Sequence, residues 1–411
     1  MEPGAARETE RDLRTILNIQ AIRAFLYGLG SVLIGLTLAD GGFTDAEVGL
    51  VFTAMLVGMA LGSIVIGTIG ERIGRRRAYL TLLLLVGLAG TVFALTLSMP
   101  ALIGASLTGA LSTDPNESGP ITSLEQAMIG EAPSGTRLAV FGRYNAIAYV
   151  AGAVGALTAS LSGLLDLDEQ RFLFVYPVLA VVAAALAKRI SPAVEASSPT
   201  ELVGAAPNSR APLVRSRNIV FRLAALFALD SFAGGFIVQS FVVFWFERTF
   251  GASTAAMGVV FFATGLLQAG SSIAASRLGA RIGLLNTMVF THLPSNVLLL
   301  LVPLAPGFGV AIALWLARVA ISQMDVPARQ AYVVALVDAR ERVAASAYTN
   351  AARYVSRPIA PAIAGGAMQT ATAAPFLIAG TLKIVYDLLI YATFRKVPLP
   401  DRTELEGRLT P

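Results

Sequence analysis

The sequence predicts an all-α membrane protein, with twelve transmembrane helices in two pseudo-symmetric six-helix bundles. Three observations carry that expectation. Over 411 residues the chain is 55% hydrophobic and only 14% charged, with a mean hydropathy of +0.69, too apolar for a soluble chain of this length. Apolar spans follow one another at roughly 16–39, 46–69, 78–98, 101–130, 138–165, 172–187, 218–246, 255–275, 285–304, 308–336, 343–367 and 375–394, each near or above the length that crosses a bilayer as helix. Arg72, Gly74, Arg76, Arg137, Asn145 and Tyr149 recur 205 positions later as Arg277, Gly279, Arg281, Arg342, Asn350 and Tyr354. A parallel repeat of this kind places a binding site between the halves, near the midplane.

Residues 1–15 are polar, carry both signs of charge and lack the basic-then-apolar order of a cleaved signal. They read as a cytoplasmic N-terminal segment. The first span puts Gln20, Arg23, Tyr27 and Ser31 on one helical stripe. The second runs into Gly67-Thr-Ile-Gly-Glu71-Arg72-Ile-Gly74-Arg75-Arg76. Its glycines allow helices to approach closely, and its arginines can reach helix carbonyl ends or carboxylates nearby. The fourth span is interrupted by Thr113-Asp114-Pro115-Asn116-Glu117-Ser118-Gly119-Pro120. Asp114, Glu117, Ser118, Ile121 and Glu125 would share one stripe of a continuous helix. Carboxylates at bilayer depth are costly and normally face a polar cavity or a partner, so Asp114 and Glu117 are expected to line one.

The fifth span carries Arg143 and Gly152-Ala-Val-Gly155. The stretch 191–216, rich in Pro, Ser and Ala and without periodicity, reads as a cytoplasmic linker. It separates bundles at 16–190 and 217–396, with a cytoplasmic tail at 397–411. In the second half, Asp230 is the deep charge of the seventh span. His292, before Leu293-Pro294 in the ninth, reads as a structural hydrogen-bonding group. Arg318, Ser322, Asp325 and Arg329 share a stripe of the tenth, and Asn350, Arg353 and Arg357 one of the eleventh. Lys383 and Asp387 read as a satisfied i,i+4 pair on a peripheral twelfth helix, and Trp245 and Tyr391 as interfacial anchors. Basic residues crowd alternate connections, against Arg171 and Arg248 on the other side. Both termini are therefore expected in the cytoplasm, in an inner or plasma membrane.

The Gly67–Arg76 stretch resembles the signature of the major facilitator superfamily between its second and third helices, with Glu71 where Asp is commoner. Arg277-Leu-Gly279-Ala-Arg281 is similar to the degenerate copy in that family's second half. The resemblance implies a cytoplasmic latch of Gly67, Glu71, Arg72, Gly74, Arg75 and Arg76 with Arg277, Gly279 and Arg281. It also implies a central cavity lined by the first, fourth, seventh and tenth helices, with the fifth and eleventh beside it. The candidate proton and substrate residues are then Asp114, Glu117, Asp230, Arg23, Tyr27, Arg318, Asp325 and Arg357. A secondary charge network would join Glu125, Arg143, Arg329 and Arg353. Exporters of the drug:proton type carry a Gly-Pro-rich fifth helix; here Gly152 and Gly155 stand without proline, while Pro358, Pro361, Gly365 and Gly366 lie in the eleventh.

The implied activity is proton-coupled efflux of a drug-like compound or metabolite by alternating access, from a monomer in the lipid bilayer. A carboxyl alternately desolvated and approached by an arginine can exchange a proton for substrate. Two alternatives use the same fold: an organic-anion carrier working through Arg23, Arg318, Arg353 and Arg357, or a divalent-cation carrier holding its ion on Asp114, Glu117 and Asp230. A non-transporting receptor or scaffold is the alternative from another class; it needs no midplane charge and would carry larger loops. Without cysteine there is no disulfide or thiol chemistry, and one histidine builds no His-based metal site. No nucleophile–base set, phosphate loop or cofactor motif is present, and the basic residues read as topology signals rather than a nucleic-acid surface.

Overall fold

The computed structural model describes residues 3–115, 119–130, 137–165, 167–192, 216–337 and 342–397, and among these it contains helices and no strand. The first half comprises α1 (Pro3–Asp40), α2 (Asp45–Ile73), α3 (Arg75–Leu95), α4 (Met99–Leu107), α5 (Pro120–Gly130), α6 (Arg137–Leu164), α7 (Glu169–Phe172) and α8 (Val175–Ala187). The second comprises α9 (Arg217–Gly235), α10 (Gln239–Phe250), α11 (Thr254–Ile282), α12 (Leu284–Leu301), α13 (Phe308–Ser322), α14 (Asp325–Leu336), α15 (Arg342–Ser356), α16 (Ala360–Met368) and α17 (Ala374–Phe394). Among the described residues, ten stretches are long and apolar enough to cross a membrane. The other two expected spans, the fourth and eleventh, are present but broken.

Their breaks have local causes. Between α4 and α5, Gly109 takes φ +70°, and the Ser112 hydroxyl accepts the Asp114 N–H at 3.1 Å, a side-chain turn that competes with helix. Pro115 follows and Pro120 opens α5, where its missing donor costs nothing. In the eleventh span, Pro358 keeps Arg357 out of helical geometry and ends α15. The continuous stripe expected from Asp114 to Glu125 is therefore corrected: Asp114 sits on a turn, and Glu125 lies on a separate helix. Glu117 and Ser118 lie outside the described residues, as do 193–215 of the expected linker and 398–411 of the expected tail.

Helix ends also correct the repeat. Gly74, at φ +93°, joins α2 to α3, and Gly283, at φ +86°, joins α11 to α12. Only glycine adopts such angles without strain. The counterpart of Gly74 is thus Gly283, four residues beyond the expected Gly279. The offset of 205 holds at Arg137 and Arg342, which open α6 and α15.

Two compact units emerge. The first comprises Met1–Gly204, Phe236–Ala269 and Pro358–Pro375. Within it α1 lies along α6 so closely that a Cβ on Gly28 would sit 1.9 Å from the Gly152 carbonyl oxygen. Ser240 of α10 donates its hydroxyl to the Ser31 carbonyl at 3.0 Å, and Thr53 of α2 accepts the Ala362 N–H of α16 at 2.9 Å. Asp12, on the segment expected to precede the first span, is helical and accepts the Ser191 backbone N–H at 3.2 Å. The second unit comprises Ala205–Gly235, Gly270–Arg357 and Phe376–Pro411. Its core gathers Val220, Leu223, Phe227, Met288, Tyr332 and Tyr386, from α9, α12, α14 and α17.

Candidate functional site

In the first unit Arg23 and Glu125 form a closed, buried pair. Glu125 is fully shielded, and Arg23 is 2% exposed. The guanidinium of Arg23 donates to Glu125 Oε2 at 2.7 Å, to the Tyr144 hydroxyl at 2.9 Å and to the Gln20 side chain. Tyr79 donates to Glu125 Oε1 at 2.8 Å, and Tyr144 donates to the other oxygen. Both carboxylate oxygens are thereby occupied. Tyr27, 5.2 Å beneath the Arg23 guanidinium, sends its hydroxyl to the Ala110 carbonyl at 2.8 Å. A small cavity in the same unit is lined by Ser31, Pro115, Tyr149, Gln239 and Gln268, among others. Its polar groups are amides and hydroxyls.

The second unit gathers charge from five helices. Asp230 of α9 accepts from Lys383 Nζ at 2.6 Å and Arg329 at 3.0 Å, and His292 Nε2 lies 3.9 Å away. Arg329 also pairs with Asp325 at 3.3 Å, one turn before it on α14. On the far side of the ring, His292 Nδ1 meets Asp387 at 2.8 Å, and Asn296 donates to the same carboxylate at 2.8 Å. Arg318 lies over Trp315 at 4.8 Å. Asp230, Asp325, Arg329, Lys383, His292 and Asp387 are all buried. A buried carboxylate is tolerated when cations and donors satisfy it, and removing one partner is then costly.

The sequence matches the profile of the Major Facilitator Superfamily over residues 16–322. The chain belongs to the Major Facilitator Superfamily. It is an integral membrane transporter of a small molecule and not an enzyme. A membrane protein of Saccharomyces cerevisiae, the uncharacterized YJR124C, is 24% identical over 93% of this chain and 94% of its own. A D-xylose–proton symporter superposes with a TM-score of 0.74 at 16% identity, over 94% of this chain and 98% of its own. The nucleoside transporter NupG does so with 0.74 at 13%, over 93% and 99%. At these identities the structural likeness speaks for the fold alone.

Against this family frame, the transporter's expected site residues divide. Arg23, expected as a counter-charge or anion contact, is a counter-charge, taken by Glu125. Of the residues expected in a secondary charge network, Glu125 pairs with Arg23, Arg329 pairs with Asp230 and Asp325, Arg353 is half-buried, and Arg143 is exposed. Lys383 and Asp387 are not each other's partners, and their helix is not peripheral to the charge. They reach past one another to Asp230 and His292. Helix spacing permits an i,i+4 pair but does not compel one where better-buried partners stand opposite. Asp114 and Arg357 are half-buried. Trp245, expected at an interface, is 1% exposed and donates to the Thr372 carbonyl at 2.7 Å.

Among the expected latch residues, Gly67, Glu71 and Arg72 lie in α2, with side chains outside the described set. Arg75 is buried, Arg76 donates to the Lys188 carbonyl, and Arg277 and Arg281 are exposed. Sequence reasoning missed Tyr79, Tyr144 and Asn296. The only available signal was their polarity within apolar spans, which does not name a partner.

Proposed function

We propose that this transporter couples proton movement to efflux of a small organic solute, drug-like or a metabolite, by alternating access. The observation that supports coupling most directly is Asp230, buried between Lys383 at 2.6 Å and Arg329 at 3.0 Å, with His292 beside it. A proton on Asp230 cancels the charge that holds two cations, so Lys383 and Arg329 must find other partners. Protonation and rearrangement are then one event, which is what coupling requires. Efflux is read from the family resemblance, not from the geometry of Asp230. Rocking of bundles 16–190 and 217–396 about the linker, with the Gly67–Arg76 and Arg277–Arg281 segments and both termini on the cytoplasmic side, completes the proposal for a monomer. Asp114, Glu117, Tyr27, Asp325 and Arg357 stay as candidate path residues.

The test is proton movement in proteoliposomes loaded with a pH-sensitive dye, on adding candidate solutes to the wild type and Asp230→Asn. A solute-evoked pH change that the variant loses is the expected result. Solute equilibration with no pH change in the wild type would refute coupling.

A further inference from the structure

We infer that Arg318 and Arg353 bind an anionic group, carboxylate or phosphoryl, of the transported solute; this rests on the transport reading above and names its substrate class. Around Asp230 in the second unit, five cationic side chains, Arg318, Arg329, Arg353, Arg357 and Lys383, stand with three carboxylates, Asp230, Asp325 and Asp387. Asp230 is occupied by Lys383 and Arg329, Asp325 by Arg329, and Asp387 by His292 and Asn296. Among the described residues, no carboxylate lies within ion-pair distance of Arg318 or Arg353. The Nε atom of each is closed to solvent and meets no hydrogen-bond acceptor.

Both arginines feel the same two acids, Asp230 and Asp325, and Arg353 also feels Arg329 and Arg357. They therefore share one field, and its balance is positive. Arg318 and Arg353 are half-buried, and a partly desolvated cation without a partner is unfavourable, a penalty that falls when an opposite charge arrives with good geometry. A guanidinium presents a rigid fork that takes carboxylate or phosphate through two parallel N–H bonds. Trp315 covers one face of Arg318 at 4.8 Å. Ser231 of α9 donates to the Arg353 carbonyl at 2.9 Å, so the helix that presents Asp230 also fixes the backbone that presents Arg353. A cationic solute would meet repulsion here, and a neutral one would leave the surplus charge in place.

The full chain in lipid nanodiscs contains two tryptophans, and Trp315 reports on Arg318. Its fluorescence would be titrated with benzoate, succinate, glucose 6-phosphate and inorganic phosphate, against benzylamine and glucose. Saturable change is expected with at least one anion, absent with benzylamine and glucose, and lost in Trp315→Phe. Arg318→Gln and Arg353→Gln should each weaken that affinity tenfold or more. The ligand-free unfolding temperature of Arg318→Gln should not fall, because the change removes an uncompensated charge. The carboxylate and phosphate arms separate the two oxyanion classes.

Failure of every anion to saturate overturns the inference, as does a lowered unfolding temperature with anion affinity intact. Proton movement driven by benzylamine or glucose overturns it while proton coupling stands. Saturable anion binding that moves no protons upholds it and removes the coupling instead.

Discussion

Removing the carboxylate of Glu125 gives the sharpest test of how the first unit is held together. That carboxylate has no exposed surface and accepts from Arg23 at 2.7 Å, Tyr79 at 2.8 Å and Tyr144. In Glu125→Met, Arg23 keeps its charge and is left with only Gln20 and Tyr144. Breaking one side of a buried pair costs about 3–5 kcal/mol, and the two tyrosine hydroxyls lose their acceptor as well. A loss of about 4 kcal/mol is expected, and nearly as much for Arg23→Met, where two tyrosines still support the acid. The double variant Arg23→Met/Glu125→Met removes both charges and fills the space. Apolar replacement of a whole buried pair is roughly neutral, so only the tyrosines remain unsatisfied, at about 1–3 kcal/mol. The double variant should thus be more stable than either single variant, and the single losses should exceed the double loss by a coupling energy of about 5–6 kcal/mol. Denaturant unfolding in mixed micelles measures all four corners of the cycle. Additive losses, or single losses below about 1 kcal/mol, would refute the reasoning.

Two other contacts make testable demands. A Cβ on Gly365 would lie 2.1 Å from the Asp45 carbonyl oxygen, so Gly365→Val must push α16 off α2 at about 1–3 kcal/mol. Because the chain has no cysteine, a single Thr53→Cys reporter on that seam reacts with a thiol reagent against no background. The Gly365→Val change should speed its labelling; an unchanged rate would show that the seam does not need glycine. Asp387→Asn removes the acceptor charge that meets His292 at 2.8 Å and Asn296 at 2.8 Å. It should lower stability by about 1–3 kcal/mol, and His292→Phe in the same background should then cost little more. Independent, additive losses would separate the two residues.

Much of the fold was legible because hydrophobic length is a local property. Apolar runs, the Gly74 turn and the recurrence of Arg137 at Arg342 can all be read within short windows. The breaks were less legible. Asp114 and Glu125 fit one stripe only if the chain stays helical through Gly109, Pro115 and Pro120, and it does not. The acids were visible as costly residues, but cost does not name a partner. Arg23 finds Glu125 from 102 residues away, and Lys383 passes over its helical neighbour Asp387 for Asp230. Those choices depend on which helices lie side by side, and no spacing along the chain encodes that. The unpaired state of Arg318 and Arg353 was further hidden, since it follows only after every nearby acid has been assigned.

The distance between Arg23 and Glu125 along the chain also bears on biosynthesis. α1 emerges from the ribosome first, carrying an arginine at mid-span that costs about 2.5–3.5 kcal/mol to place in lipid alone. At about 5–20 residues per second, its carboxylate arrives some 5–20 s later. Throughout that interval the first helix carries a cation with no counter-charge in the bilayer, which weakens its hold there. The insertion machinery must shelter it, or it must wait at the membrane surface until α5 is made. Truncating the nascent chain just before Glu125 should therefore leave α1 extractable by alkali, and extending it past Tyr144 should lock the helix in.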